Sequence, residues 1–178
     1  LDEYLLEADF VYFLAFDVGG AKYLEQYQNS YEFISNNMKI MANTFESIFQ
    51  SGKPFIFASS QMAELSHSSY GMLKLLGEKI VEDRYGIVVK FWNVYGKEHD
   101  EEKSHVITDF IKMAKKDGVI KMRTDGTESR QFLYADDACE ALYHISQNYN
   151  VMPHNKPYHI TSFKWNTIKE VADFLDVV

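Results

Sequence analysis

The chain has 178 residues, 46% hydrophobic and 25% charged, with a formal net charge of −8. That length and composition describe one ordinary domain with a real core and exclude a disordered polymer or two full domains. The acidic balance argues against a nucleic acid or an anionic membrane as partner, because phosphate surfaces select basic faces, and no apolar run is long enough to span a bilayer; a cytoplasmic protein is expected.

Residues 1–8 read as the end of a helix already under way. Residues 9–15, DFVYFLA, read as a strand apolar on both faces, the pattern of a buried parallel strand. Residues 30–49 carry apolar positions at helical spacing, with Gly52 stopping the helix and Pro54 opening the next strand, FIFASS, which ends in Ser59 and Ser60. A helix through Tyr70 and Lys74 follows and runs to Gly86, and residues 87–92 form a third buried strand. Strand, helix, strand, helix, strand predicts a parallel α/β sheet. After Gly96 the texture changes to a charged loop, 97–103, expected to be solvated surface. A helix at 105–116 closed by Gly118, a short piece at 119–122, a turn at Asp125-Gly126, a strand at 131–134, a helix from about 136 to 148, a strand at 157–160 and a last short helix at 168–175 complete the chain.

Tyr70 and Lys74 lie one turn apart on one helix face. A phenol with pKa ~10 needs help to act as a base near neutrality, and an adjacent ammonium supplies it by favouring the phenolate. A serine at a strand end, Ser60, could share that proton. The bland alternative is that Tyr-x-x-x-Lys recurs by chance in helices, and the serines directly upstream tell against it. The six histidines show no metal-ligand spacing, so no metal is expected. Asp136-Asp137 is read as a helix N-terminus, because carboxylates favour that end. Glu78 is expected on a helix surface or at a dimer contact, Met38 and Met41 in core or interface, and Trp92 either in the core or beside a cofactor ring. Cys139, the single cysteine, is expected as a small buried core residue.

These motifs, in this order, resemble the extended short-chain dehydrogenase/reductases, specifically the NAD-dependent epimerase/dehydratase family that modifies nucleotide sugars. The resemblance implies a Rossmann-like parallel sheet with a small C-terminal α+β substrate-binding cap. Residues 1–96 would belong to the NAD(P)-binding part, and 97–178 to the cap, interleaved with it. It implies Ser60, Tyr70 and Lys74 as the catalytic group. Leu14, Ala15, Asn36, Ser59, Tyr70, Lys74 and Trp92 would lie on the NAD (or NADP) side. Phe91-Trp-Asn-Val-Tyr-Gly96 resembles the family's strand-end motif, whose asparagine, here Asn93, meets the sugar nucleotide. The segment 125–137 resembles the one whose arginine, here Arg130, contacts the diphosphate, a role that suits a bidentate guanidinium. A homodimer through the helices at 30–49 and 70–86 is also implied.

Three departures qualify the resemblance. The family opens with a strand and a glycine-rich turn that seats a pyrophosphate on a helix N-terminus, and no such turn occurs here; Gly19-Gly20 follows a different strand and reads as a loop feature. Ser60 and Tyr70 are closer in sequence than is usual, and Lys90 stands where arginine is usual. The sheet is therefore expected to be incomplete at its N-terminal side, with the strand at 9–15 as an edge that another chain or further residues would cover. Two functions follow: a nucleotide-sugar epimerase or dehydratase that oxidises the sugar transiently with tightly bound NAD, or a catalytically silent fragment serving as a folded binding module.

Overall fold

A computed structural model describes residues 2–176. The elements in chain order are α1 (Asp2–Glu7), β1 (Val11–Phe13), α2 (Ala21–Tyr27), α3 (Tyr31–Ser51), β2 (Phe55–Ser60), a 3₁₀ turn (Gln61–Glu64), α4 (Ser69–Glu82), β3 (Ile87–Phe91), β4 (Asn93–Tyr95), α5 (Val106–Asp117), β5 (Ser129–Tyr134), α6 (Ala135–Gln147), β6 (Tyr158–Ile160), β7 (Trp165–Thr167) and α7 (Ile168–Asp176).

The main sheet is parallel throughout, in the order β1-β2-β3-β6, so the fold is α/β. β2 is buried along its whole length, and its alternate side chains feed two cores. Phe55 and Phe57 face α3 and α4, packing with Phe45, Ile48, Leu73 and Val81. Ile56 points the other way, with Ile87 and Val89, against Ala138, Leu142 and Ile145 of α6. α3 and α4 therefore cover one face of the sheet and α6 the other.

α3 begins at Ser30, whose hydroxyl accepts the Phe33 N–H at 3.2 Å, and ends at Gly52 in the left-handed region (φ 63°), as the spacing predicts. β1 lies at one edge of the sheet and is not buried on both faces: Tyr12 is exposed, and its hydroxyl donates to Ser146 at 2.6 Å. Cys139 corrects another expectation. It is exposed, because the buried stripe of α6 runs through Ala138, Leu142 and Ile145 and leaves position 139 on the outer side. Asp136 and Asp137 do occupy the first turn of that helix.

A second, three-stranded sheet has β4 parallel to β5 and β7 antiparallel to β5. With α5 and α7 it encloses a small core around Phe110, Ile168 and Ala172. The residues at 119–122 form no strand. Among the described residues no helix is long and apolar enough to cross a membrane.

Candidate active site

At the end of β2 the Ser60 hydroxyl accepts the Met62 N–H at 3.1 Å and opens the 3₁₀ turn that leads the chain out of the sheet. Ser68 then starts α4 by accepting the Gly71 N–H at 3.0 Å. A side chain at Gly71 would run into the Met62 carbonyl, so only glycine lets the turn close onto the helix. This close approach accommodates the short connection between Ser60 and Tyr70. The two remain neighbours, close enough for the Ser60 hydroxyl to act on the titration of the Tyr70 phenol.

Tyr70 and Lys74 both face the sheet and are buried. Burial pushes the Tyr70 phenol up to about 12, with the nearby Ser60 hydroxyl opposing it. Burial lowers the Lys74 amine to about 7. The expectation that Lys74 would depress the tyrosine is thereby corrected. The ammonium donates to the Ala58 carbonyl at 2.6 Å, lies 3.7 Å from the centre of the Phe16 ring, and stands 5.8 Å from that of Tyr70. Its charge is directed at a carbonyl and a phenyl face, and desolvation decides both titrations.

Beside this group runs a buried polar network. Ser59 and Lys90 are register partners on β2 and β3. The Ser59 hydroxyl donates to Glu78 of α4, whose other oxygen is 3.3 Å from the Lys90 ammonium; Lys90 also reaches Glu64 at 3.0 Å. Glu78 is thus buried, not a surface or dimer-contact residue. Burial opposes the charge of Lys90, but hydrogen bonds and charges from Glu64 and Glu78 outweigh it and hold the amine above its ordinary value. Ser59 is turned into this network.

Leu14 and Ala15 are exposed just past the carboxyl end of β1. Asn36 is exposed on α3, while Asn37 is fully buried and holds the Asp17 main chain through bonds of 2.7 and 3.1 Å. Trp92 is partly buried; its indole N–H meets His159 Nδ1 at 2.9 Å, and its ring sits edge-on to Trp165. Asn93 and Arg130 line one cleft of about 970 Å³ between α2, α5, the loop before β5 and the second sheet. Asn93 donates to the Gln131 carbonyl at 3.2 Å, and Arg130 is exposed. Lys22, Lys112, Lys121 and Arg123 line the same cleft, making it basic within an acidic chain.

Sequence reasoning missed the wall carrying Lys22. α2 is short, and its place is set by distant residues. Lys103 pairs with Asp17 at 2.7 Å, Tyr23 donates to the same carboxylate at 2.8 Å, and the Gly20 N–H bonds the Lys103 carbonyl at 3.0 Å. The end of the charged loop is therefore pinned, not free surface. Burial raises the Asp17 carboxyl, but the bonds from Lys103 and Tyr23 prevail and it titrates below its ordinary value. Among the described residues no group of three histidine, cysteine or acidic side chains gathers to hold a metal.

A parallel sheet covered by α3 and α4 on one face and by α6 on the other is a Rossmann-type layout. The chain belongs to the NAD dependent epimerase/dehydratase family, whose pattern it matches over residues 1–161. Its fold is similar to that of WbmF from Bordetella bronchiseptica in complex with NAD+ (19% identity, TM-score 0.81, covering 99% of this chain and 61% of that one). It is also similar to the UDP-glucuronic acid 4-epimerase of Bacillus cereus in complex with UDP-glucuronic acid and NAD (20%, 0.81, 99% and 61%). A third similar fold is the UDP-N-acetylglucosamine 4-epimerase of Methanobrevibacter ruminantium M1 in complex with UDP-N-acetylmuramic acid (19%, 0.79, 97% and 61%). The chain spans less than two thirds of the length of each. No curated protein matches it.

Proposed function

We propose that the chain serves NAD-dependent redox chemistry on a nucleotide-linked sugar, by epimerisation or dehydration, as part of a cytoplasmic homodimer. The observation that carries this reading is the connection between two groups of residues. Ser60, with Tyr70 and Lys74 packed behind the end of β2, is the register partner of Phe91, and two residues beyond Phe91 the chain enters the basic cleft at Asn93, which Arg130 also lines. Tyr70 accepts the proton of the sugar hydroxyl and Ser60 orients that hydroxyl. Lys74 would hold the nicotinamide ribose through hydrogen bonds from its amine. Arg130 and Asn93 hold the diphosphate and the sugar, and residues 97–178 act largely as the substrate cap.

The nicotinamide end of the cofactor fits the residues present: Leu14 and Ala15 are exposed just past β1 and lead into Phe16, whose ring centre is 3.7 Å from the Lys74 amine. When bound there, NAD supplies the hydride acceptor. Gly19-Gly20 does not offer the pyrophosphate end a seat, because the Gly20 N–H already donates to the Lys103 carbonyl. Weak affinity for NAD is accordingly expected, and calorimetric titration with NAD checks it.

The second reading, a catalytically silent binding module, is favoured by the phenol at about 12, which keeps Tyr70 protonated at neutral pH. One experiment separates the two. The chain is incubated with NAD and a panel of UDP-sugars, and products are followed by NMR beside Tyr70→Phe. Turnover that falls by at least about a hundredfold in the variant supports the enzyme. Turnover retained in Tyr70→Phe removes this residue from the chemistry. UDP-sugar binding without turnover establishes the module.

A further inference from the structure

The cleft contains a second arginine, and that arginine is occupied. Arg123, in the loop before β5, places Nη2 2.6 Å from Oε2 of Glu25 on α2, and the two lie 98 residues apart on opposite walls. We propose that Glu25 is a built-in competitor for the ligand: its carboxylate holds Arg123 in the position that a phosphate of a nucleoside diphosphate takes by displacing it. This rests on reading the cleft as the nucleotide-sugar site.

Three observations carry the inference. The cleft is lined by Lys22, Lys112, Lys121, Arg123 and Arg130, so its field gathers anions although the chain as a whole is acidic. Its other two carboxylates are engaged by hydroxyls: Thr124 donates to Glu128 at 2.6 Å and Ser104 to Asp109 at 2.5 Å. Glu25 alone of the three lies against a guanidinium, whose planar fork donates to carboxylate or phosphate oxygens in the same geometry. Finally, the pair is exposed, with side chains 62% and 69% accessible, so it is weak enough to yield. α2 itself is fixed by the Asp17–Lys103 and Gly20–Lys103 contacts, so only the Glu25 side chain has to turn away for the arginine to be released.

The test is calorimetric titration of the chain and its variants with UDP, with uridine as the uncharged control. Glu25→Gln binds UDP about twofold to fivefold more tightly, because the competitor is gone. Arg123→Gln binds it about tenfold more weakly. The double variant behaves as Arg123→Gln alone, which separates competition at one guanidinium from a general change of charge. Uridine affinity is the same in all four proteins. Glu25→Gln no tighter than wild type, or an added effect of Glu25→Gln in the Arg123→Gln background, overturns the competitor while leaving the cleft as a nucleotide site. UDP binding to none of the four proteins removes the reading of the cleft itself, and this inference with it.

Discussion

Lys74 is a charged group in a place that favours the neutral one. Its ordinary pKa is ~10.4, and in the fold it is about 7, so between those values the unfolded chain binds more protons than the folded one. Stability therefore rises with pH across that window, and the penalty for burying the ammonium is fully present below pH 7. Lys74→Met removes the penalty. The variant is expected to melt at a higher temperature than wild type at pH 6, with the gap shrinking steadily towards pH 9.5. Thermal denaturation at three pH values checks this, and a variant that melts lower at pH 6 would show that the Ala58 and Phe16 contacts outweigh desolvation. The measurement stops short of pH 10, above which the unfolded tyrosines begin to ionise while Tyr70 stays protonated. The two residues were legible in the sequence as a spaced pair. Their protonation was not, because it depends on how completely α3, α4 and the sheet close around them.

At the scale of elements, the Ser59–Glu78–Lys90 network ties α4 to two strands at once. Removing Glu78 strips the Ser59 hydroxyl of its acceptor and Lys90 of one of its two carboxylates, while Glu64 stays at 3.0 Å, so Glu78→Ala should destabilise the fold by about 1–3 kcal/mol. The double replacement Glu78→Met, Lys90→Met should come within about 1–2 kcal/mol of wild type, since similar volume replaces the pair. Urea denaturation of the three proteins decides it, and a Glu78→Ala loss under about 1 kcal/mol would mean that water reaches Lys90. Sequence periodicity placed α3 and α4 correctly because Ser30, Gly52 and the apolar spacing are local signals. It placed Glu78 outside because a carboxylate in an amphipathic pattern defaults to solvent, and its partner Lys90 is supplied by a strand that packs against the helix only in the folded chain. β4 and β7 have three residues each, too few for a period to show.

For the whole molecule, the outer faces of α3 and α4 leave Met38, Met72, Leu75 and Leu76 exposed. Apolar positions on the two adjacent helices, outside the stripes that reach the sheet, fit a second copy of the chain. Light scattering at high micromolar concentration should give the mass of a dimer, and Met72→Glu with Leu76→Glu should halve it. A wild-type monomer under those conditions ends the idea. The site at this scale was half legible. Ser60, Tyr70, Lys74, Asn93 and Arg130 stand in motifs whose order survives in one dimension, whereas Glu25 and Arg123 meet only because α2 folds across to the loop before β5.

Cys139 has a practical consequence for that mass measurement. As an exposed thiol it can join two molecules through an intermolecular disulfide in oxidising buffer, and such a covalent pair would imitate the assembly being sought. Reductant distinguishes them, since a pairing through α3 and α4 survives it. Because α6 covers the face of the sheet opposite those helices, a dye coupled to this unique sulfhydryl would also report on association by energy transfer without occupying the contact surface.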